Sequence, residues 1–248
     1  MTLLADAPLT IRTPAVVQAV RRYRRLVTLL PRAAVHYVVR TDARPELLEA
    51  LVAAGSGFEV TGHQEARACL AAGAGPDSLL ASAVGRSRAD IGAAADLGVH
   101  LFVVACPEDV CNVALVAPGS AVLYRLMTAT AGPDCATPQA VLVLRQAAAS
   151  GLEAAGVSCH VGPRPRGPNA WRAPVAASAR VFATLRGEGI RPWVLDLGSG
   201  LPAPRQEGRP PLAMYAAAID LALGESFGRT RPRTLVTAGR IIVGDASA

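Results

Sequence analysis

A chain of 248 residues, 51% of them hydrophobic and 18% charged, can bury one sizeable core and has about the length of one (β/α)8 barrel. Its net charge of +6 and isoelectric point near 9.5 raise nucleic-acid binding, but the arginines are dispersed, aromatics make up only 4% and no recognition motif joins them. No apolar run approaches the roughly 20 residues of a membrane span, MTLLADAPLTIRTP lacks the pattern of a signal peptide, and five cysteines without a C-x-x-C pair suggest neither a disulfide framework nor a zinc knuckle.

Short Val/Leu/Ile-rich runs alternate with longer Ala/Leu/Arg segments, the pattern of βα units around a parallel sheet. A helix is expected from Pro14 to Leu30. Its basic run, Arg21, Arg22, Arg24 and Arg25 around Tyr23, reads as a solvated face. A strand follows over Val35–Val39, then a helix over Pro45–Ala54 with its proline in the first turn. Next come a strand at Gly57–Val60, a helix at Gln64–Ala72, a short strand at Leu79–Ala81 and a helix at Ser87–Leu97 capped by Gly98. The second half gives strand Leu101–Ala105 and a helix from Pro107. Strand Ala121–Leu126 then precedes a Gly/Pro loop and a helix over Pro138–Ala149. Strand Val157–Val161, the loop Gly162–Pro168 and a helix from Trp171 to Arg186 come next. The chain closes with strand Trp193–Leu197, a helix over Pro211–Phe227 and strand signals at Thr234–Thr237 and Ile241–Val243. About eight strands without clear polar alternation suit a sheet covered on both faces, and the reading is one (β/α)8 barrel spanning residues 1–248. Periodicity alone also allows an open doubly wound sheet.

In such a barrel, functional groups project from the C-terminal ends of the strands. Those positions hold Arg40, Thr41 and Asp42; Glu59; Arg125; His160; Asp196, Gly198, Ser199 and Gly200; and Gly239 with Arg240. Each has a plainer reading. His160 could be a satisfied histidine, Gly198–Gly200 a strand-exit turn, Asp196 a buried hydrogen-bonding carboxylate, and Arg40 an ion-pair partner of Glu59 or Asp42. His36, His63 and His100 read as structural or surface groups, and Cys159 stays open because it adjoins His160. No metal-ligand set stands out.

The same residues carry a resemblance. YVVRTD, GSGFEV, VLYRLM, VSCHVG, VLDLGSGLP and TAGR, in this order, resemble the fold-type III pyridoxal-phosphate decarboxylases, the ornithine/diaminopimelate group with an alanine racemase-like barrel. The likeness covers nearly the whole chain but only that family's barrel; its C-terminal β-domain has no counterpart in these residues. It implies that the family's cofactor lysine falls at Arg40, its acidic partner for the pyridine nitrogen at Thr237, and its phosphate-contacting serine at Pro163. The chain contains no lysine at all. A guanidinium stays protonated and is a poor nucleophile, so covalent pyridoxal phosphate is not expected. By the same resemblance His160 would stack on the cofactor ring, Gly198, Ser199 and Gly200 form a phosphate loop, Gly239 and Arg240 make a second phosphate contact, Arg125 lie near the ring and Glu59 replace an aspartate.

The expectation is a cofactor-independent cytoplasmic enzyme of decarboxylase, isomerase or cyclase type acting on an anionic small molecule. His160, Glu59 and Arg40 are its catalytic candidates, and Arg125, Asp42 and the two glycine segments its anion-binding ones. A silent regulator of a decarboxylase-like partner and a non-covalent carrier of pyridoxal phosphate are the alternatives. Neither nucleic acid nor membrane is an expected partner, and a homo- or hetero-oligomer is compatible with the sequence.

Overall fold

The computed structural model describes residues 13–82, 84–159, 161, 167–203 and 209–244, with the backbone alone over 128–136. Eight parallel strands close on themselves in chain order. They are β1 (Ala33–Val38), β2 (Gly57–Val60), β3 (Leu79–Ser82), β4 (Leu101–Val104), β5 (Ala121–Leu126), β6 (Glu153–Cys159), β7 (Val194–Asp196) and β8 (Arg233–Ala238). Helix α1 (Pro14–Leu29) precedes β1. Helices α2 (Pro45–Ala53), α3 (His63–Ala71), α4 (Arg88–Ala95), α5 (Pro107–Val116), α6 (Thr128–Ala149), α7 (Arg172–Gly187) and α8 (Leu212–Phe227) follow β1 to β7 in turn, and the short α9 (Arg240–Val243) follows β8.

Alternation along each strand divides the residues between two cores. Tyr37, Phe58, Phe102, Val122 and Val157 point outward and pack under the helices. Leu80, Val103, Leu123, Ala155, Val194 and Leu235 point inward and fill the barrel with an apolar layer. The sequence pattern placed most helices within two residues, because their caps are local. Thr13 and Ser87 each accept from a backbone N–H three residues on, and Pro14, Pro45 and Pro107 open their helices.

Three expectations are corrected. Helix α6 begins at Thr128 rather than Pro138, so Gly132 and Pro133 do not interrupt it; the tertiary setting overrides their weak helix propensity. Strand β6 starts at Glu153, four residues before Val157. Its Ala154–Ala155–Gly156 stretch is poor strand sequence, but pairing to β5 and β7 imposes the extended form, with a register shift at Val122/Leu123. Gly156 permits the shift: its φ is 152°, and a Cβ there would lie 1.9 Å from the Val194 carbonyl oxygen. Finally, Ile241–Val243 is helix, not strand. Strand β8 already pairs with β1 from Ala33↔Thr234 to Tyr37↔Ala238, and a closed barrel leaves no edge for a ninth strand.

Candidate functional site

Above the apolar layer, the last inward-facing position of most strands is polar. Two residues beyond Leu80, Leu123, Val194 and Leu235 stand Ser82, Arg125, Asp196 and Thr237. Glu59 and Ser158 join them, since their neighbours Phe58, Val60, Val157 and Cys159 belong to the outer core. The C-terminal mouth of the barrel thus rests on a polar layer.

Asp196 organises one side of that layer. Its carboxyl is 2% exposed, with Oδ2 accepting from Ser158 Oγ at 2.6 Å and Oδ1 from the Gly198 N–H at 2.8 Å. Burial pushes its pKa up to about 7, and the nearby Glu59 carboxylate adds to the rise, while Ser158, Gly198 and Arg125 oppose it. The chain then leaves the strand through Gly198 and Gly200, at φ 67° and 148°. Leu197 is fixed beforehand, its N–H donating to the Leu235 carbonyl at 2.9 Å and its carbonyl accepting from Trp171 Nε1 at 2.9 Å. The glycine loop therefore springs from a rigid base.

Glu59 occupies the other side. Burial raises its pKa, and the positive charges of Arg125 and Arg40, with the Thr237 side chain, pull the other way.

Above this layer opens a cavity of about 490 Å³ lined by Arg40, Ser199, Gly200, Thr237, Gly239 and Arg240, among others. Arg40 lies in the 3-10 turn Val39–Thr41 that ends β1, and Arg240 opens α9. Gly239 is held tightly against the first of these turns, since a Cβ there would sit 2.3 Å from Thr41 Oγ1. Two cationic side chains and two glycine-bearing turns around one opening suit an anionic group.

Of the residues singled out by sequence, Arg40, Ser199, Gly200, Gly239 and Arg240 line this cavity. Gly198 shapes the turn beneath it, and Glu59 and Arg125 belong to the polar layer below. Asp42 is not brought to the site. Its carboxylate is taken by Arg44, with Nη2 at 2.6 Å and Nε at 3.0 Å, and its carbonyl accepts from the Tyr37 hydroxyl. His160 and Pro163 lie outside the described residues. Cys159 is buried against Ser178, and burial pushes its thiol up to about 12, so it is no ready nucleophile. Asp196 is the buried hydrogen-bonding carboxylate of its plainer sequence reading, whereas Ser158, its partner, was not singled out by sequence. No group of three or more His, Cys, Asp or Glu among the described residues could hold a metal ion. No described helix is long and apolar enough to cross a membrane.

Residues 16–244 match the family model described as the pyridoxal-dependent decarboxylase, pyridoxal binding domain. The chain is 29% identical over 227 residues to a lysine/ornithine decarboxylase of Selenomonas ruminantium, covering 88% of this chain and 57% of that one. It is 30% identical over 217 residues to a chloroplastic ornithine decarboxylase of Nicotiana glauca, covering 84% of this chain and 49% of that one. A crystal structure of lysine decarboxylase from Selenomonas ruminantium superposes with a TM-score of 0.81 at 27% identity, covering 92% of this chain and 60% of the other. The chain spans about half the length of the curated relatives it matches.

Proposed function

Given that the chain belongs to the pyridoxal-dependent decarboxylase family through its pyridoxal-binding domain, we propose that it is a divergent barrel that binds an anionic small molecule at its mouth and acts on it without covalently held pyridoxal phosphate. The observation that carries this reading is one cavity lined by Arg40, Gly200, Gly239 and Arg240 in a chain that has no lysine. The family implies pyridoxal phosphate, and the residues present fit only half of it. The two glycine turns and Arg240 suit a phosphate group. No side chain in these residues supplies the amine for the covalent link, and Thr237 offers no charge to hold a proton on a ring nitrogen.

On this reading Arg40 and Arg240 grip a carboxylate or phosphate and oppose negative charge that develops next to it. Glu59, desolvated and bordered by Arg125, is the acid/base group. His160 is the second candidate by its place after β6. The reaction class is a decarboxylation, isomerisation or cyclisation of an anionic substrate.

The test is a titration with pyridoxal phosphate followed by borohydride reduction and intact-mass measurement, on the native chain and on Arg40→Lys. The native chain is expected to show reversible binding with no mass increase inside the barrel, and Arg40→Gln to weaken that binding about tenfold or more. Arg40→Lys restores an amine at the strand end and should take up one reduced adduct. Release of carbon dioxide from lysine or ornithine by the native chain with pyridoxal phosphate, or a reduced adduct in its barrel, would overturn the proposal.

A further inference from the structure

His63 is neither a buried structural histidine nor a loose surface one. It opens α3, just after β2, and its side chain is 32% exposed. Its Nδ1 lies 2.6 Å from Asp90 Oδ1, and its backbone N–H donates to the same oxygen at 3.3 Å. Asp90 belongs to the first turn of α4, so the pair ties the chain leaving β2 to the chain leaving β3. Nε2 makes no hydrogen bond among the described residues. The ring borders a cavity of about 440 Å³ that Gln64, Glu65, Arg86 and Ser87 also line.

The pair has one chemically consistent tautomer. Burial works to raise the Asp90 pKa, but the His63 ring and N–H and the charge of Arg86 hold it below its ordinary value, so Asp90 is a carboxylate that only accepts. Nδ1 then carries the hydrogen, and in the neutral ring Nε2 keeps its lone pair. The carboxylate is itself held in place. The Asp90 N–H donates to Ser87 Oγ at 3.2 Å, and a Cβ on Gly62 would come within 3.3 Å of both carboxyl oxygens. A lone pair at a cavity with a carboxylate behind the ring is the arrangement of an activated imidazole, since the carboxylate meets the positive charge that the ring acquires as Nε2 forms a bond. The other described histidines lack this arrangement: His36 is buried, and His100 faces, at 3.6 Å, an Asp77 side chain that is 90% exposed.

What surrounds the lone pair selects the electrophile. The first turns of α3 and α4 both line the cavity. Arg86 meets Asp90 Oδ2 only at 3.9 Å, beyond hydrogen-bond reach, so its N–H groups remain for incoming oxygens. Glu65 is the opposing charge, and its Oε2 is taken by the Thr61 N–H at 2.7 Å. We infer that His63 is a phosphoryl-acceptor site, its Nε2 taking the phosphoryl group of a small acyl phosphate or phosphoramidate, with Asp90 the residue that positions the ring. In that step the Nε2–P bond forms and the donor's P–O or P–N bond breaks. The leaving group departs with the bonding pair, as a carboxylate or as ammonia, and the Nδ1 hydrogen stays between the ring and Asp90. The inference stands independently of what the mouth binds.

The experiment is treatment of the full chain with phosphoramidate, and separately with acetyl phosphate, followed by intact-mass and peptide-mass measurement under alkaline conditions that preserve phosphohistidine. His63 should gain a phosphoryl group about tenfold or more faster than His100 of the same chain, a comparison that needs no variant, and should carry it on Nε2. Asp90→Asn keeps an oxygen for Nδ1 but not the charge, and should slow labelling of His63 by about tenfold while His100 is unchanged. Asp90→Ala frees Nδ1, so the Nδ1 isomer should appear beside the Nε2 one, a change that a merely structural role for Asp90 would not produce. Arg86→Gln should slow His63 about threefold or more without altering the isomer. Labelling of His63 no faster than His100 in the native chain, Nδ1 as the main native product, or an unchanged rate in Asp90→Asn would each overturn the assignment.

Discussion

Replacing Asp196 by asparagine should change how the stability of the barrel depends on pH. The folded carboxyl titrates near 7 instead of 3.8. Below the unfolded value both states carry the proton, so the full stability is present. Between the two values only the folded state holds it, and stability falls as pH rises until the folded carboxyl also ionises. A shift of that size corresponds to about 4 kcal/mol lost between pH 4 and pH 8. His36 works in the opposite sense. Burial lowers its pKa from 6.5 to about 4, so it contributes stability above the unfolded value that is lost as pH falls through the folded one, about 3 kcal/mol. The two nearly cancel in the native chain between pH 4 and 6.5. Asparagine keeps an oxygen for the Gly198 N–H and a donor toward Ser158, so the fold is retained while the titration is removed. Equilibrium urea unfolding at pH 4.5, 5.5, 6.5, 7.5 and 8.5 on both proteins isolates the effect as a difference. Native minus variant stability should decline steadily with pH, and the variant alone should show the rising limb from His36. A difference that stays flat or rises from pH 4.5 to 8.5 would refute the reasoning.

Three further outcomes are expected. Gly156→Ala should destabilise the barrel by about 3 kcal/mol or more, because the new methyl meets the Val194 carbonyl at 1.9 Å and neither strand can move without opening the sheet; thermal unfolding or soluble yield measures it. Gly239→Ala should cost about 1–3 kcal/mol through its contact with Thr41 Oγ1, and Thr41→Ala in the same chain should recover most of that cost while Thr41→Ser recovers none, a double-mutant cycle readable by urea midpoint. Trp171→Phe should cost about 1–3 kcal/mol by leaving the buried Leu197 carbonyl without its indole donor. The same variant should speed amide exchange at 198–200 well beyond its effect at β3 and β4.

The barrel was legible in the sequence because its signals are local. Proline at the start of α1, α2 and α5, and strands β2 and β5 bounded by turn residues, leave little freedom in the boundaries. What was not legible depends on partners distant in the chain. Glu153–Gly156 becomes strand only because β5 and β7 flank it, and Ile241–Val243 is denied a strand only because β1 already occupies the free side of β8. The site divides the same way. Strand-end position places Arg40, Ser199, Gly200, Gly239 and Arg240 at the mouth without reference to side-chain packing. Asp42 does not line the mouth, because its neighbour Arg44, two residues on, takes its carboxylate through a local turn that the strand-end rule does not weigh. Ser158 was missed because the shift at Gly156 moves its strand out of simple alternation.

The depth of each group decides which charge at the mouth can vary. Arg40 and Arg240 border the open cavity. A lysine at the same strand end would carry a nucleophilic amine that can lose its proton, which a guanidinium does not. Arginine therefore gives up the nucleophilic amine and fixes positive charge at the rim, and the variable protons are left to Glu59 and Asp196 beneath it. The Glu59 carboxylate raises the proton affinity of Asp196, and the positive charge of Arg125 lowers that of both. An anion entering above must then weaken the pull of Arg40 on Glu59, so ligand binding at the mouth and proton uptake by the layer below have the same sign. Proton uptake measured by titration calorimetry in two buffers of different ionisation enthalpy, over a series of pH values from 5 to 8, should accompany anion binding, and its maximum should fall in Glu59→Gln.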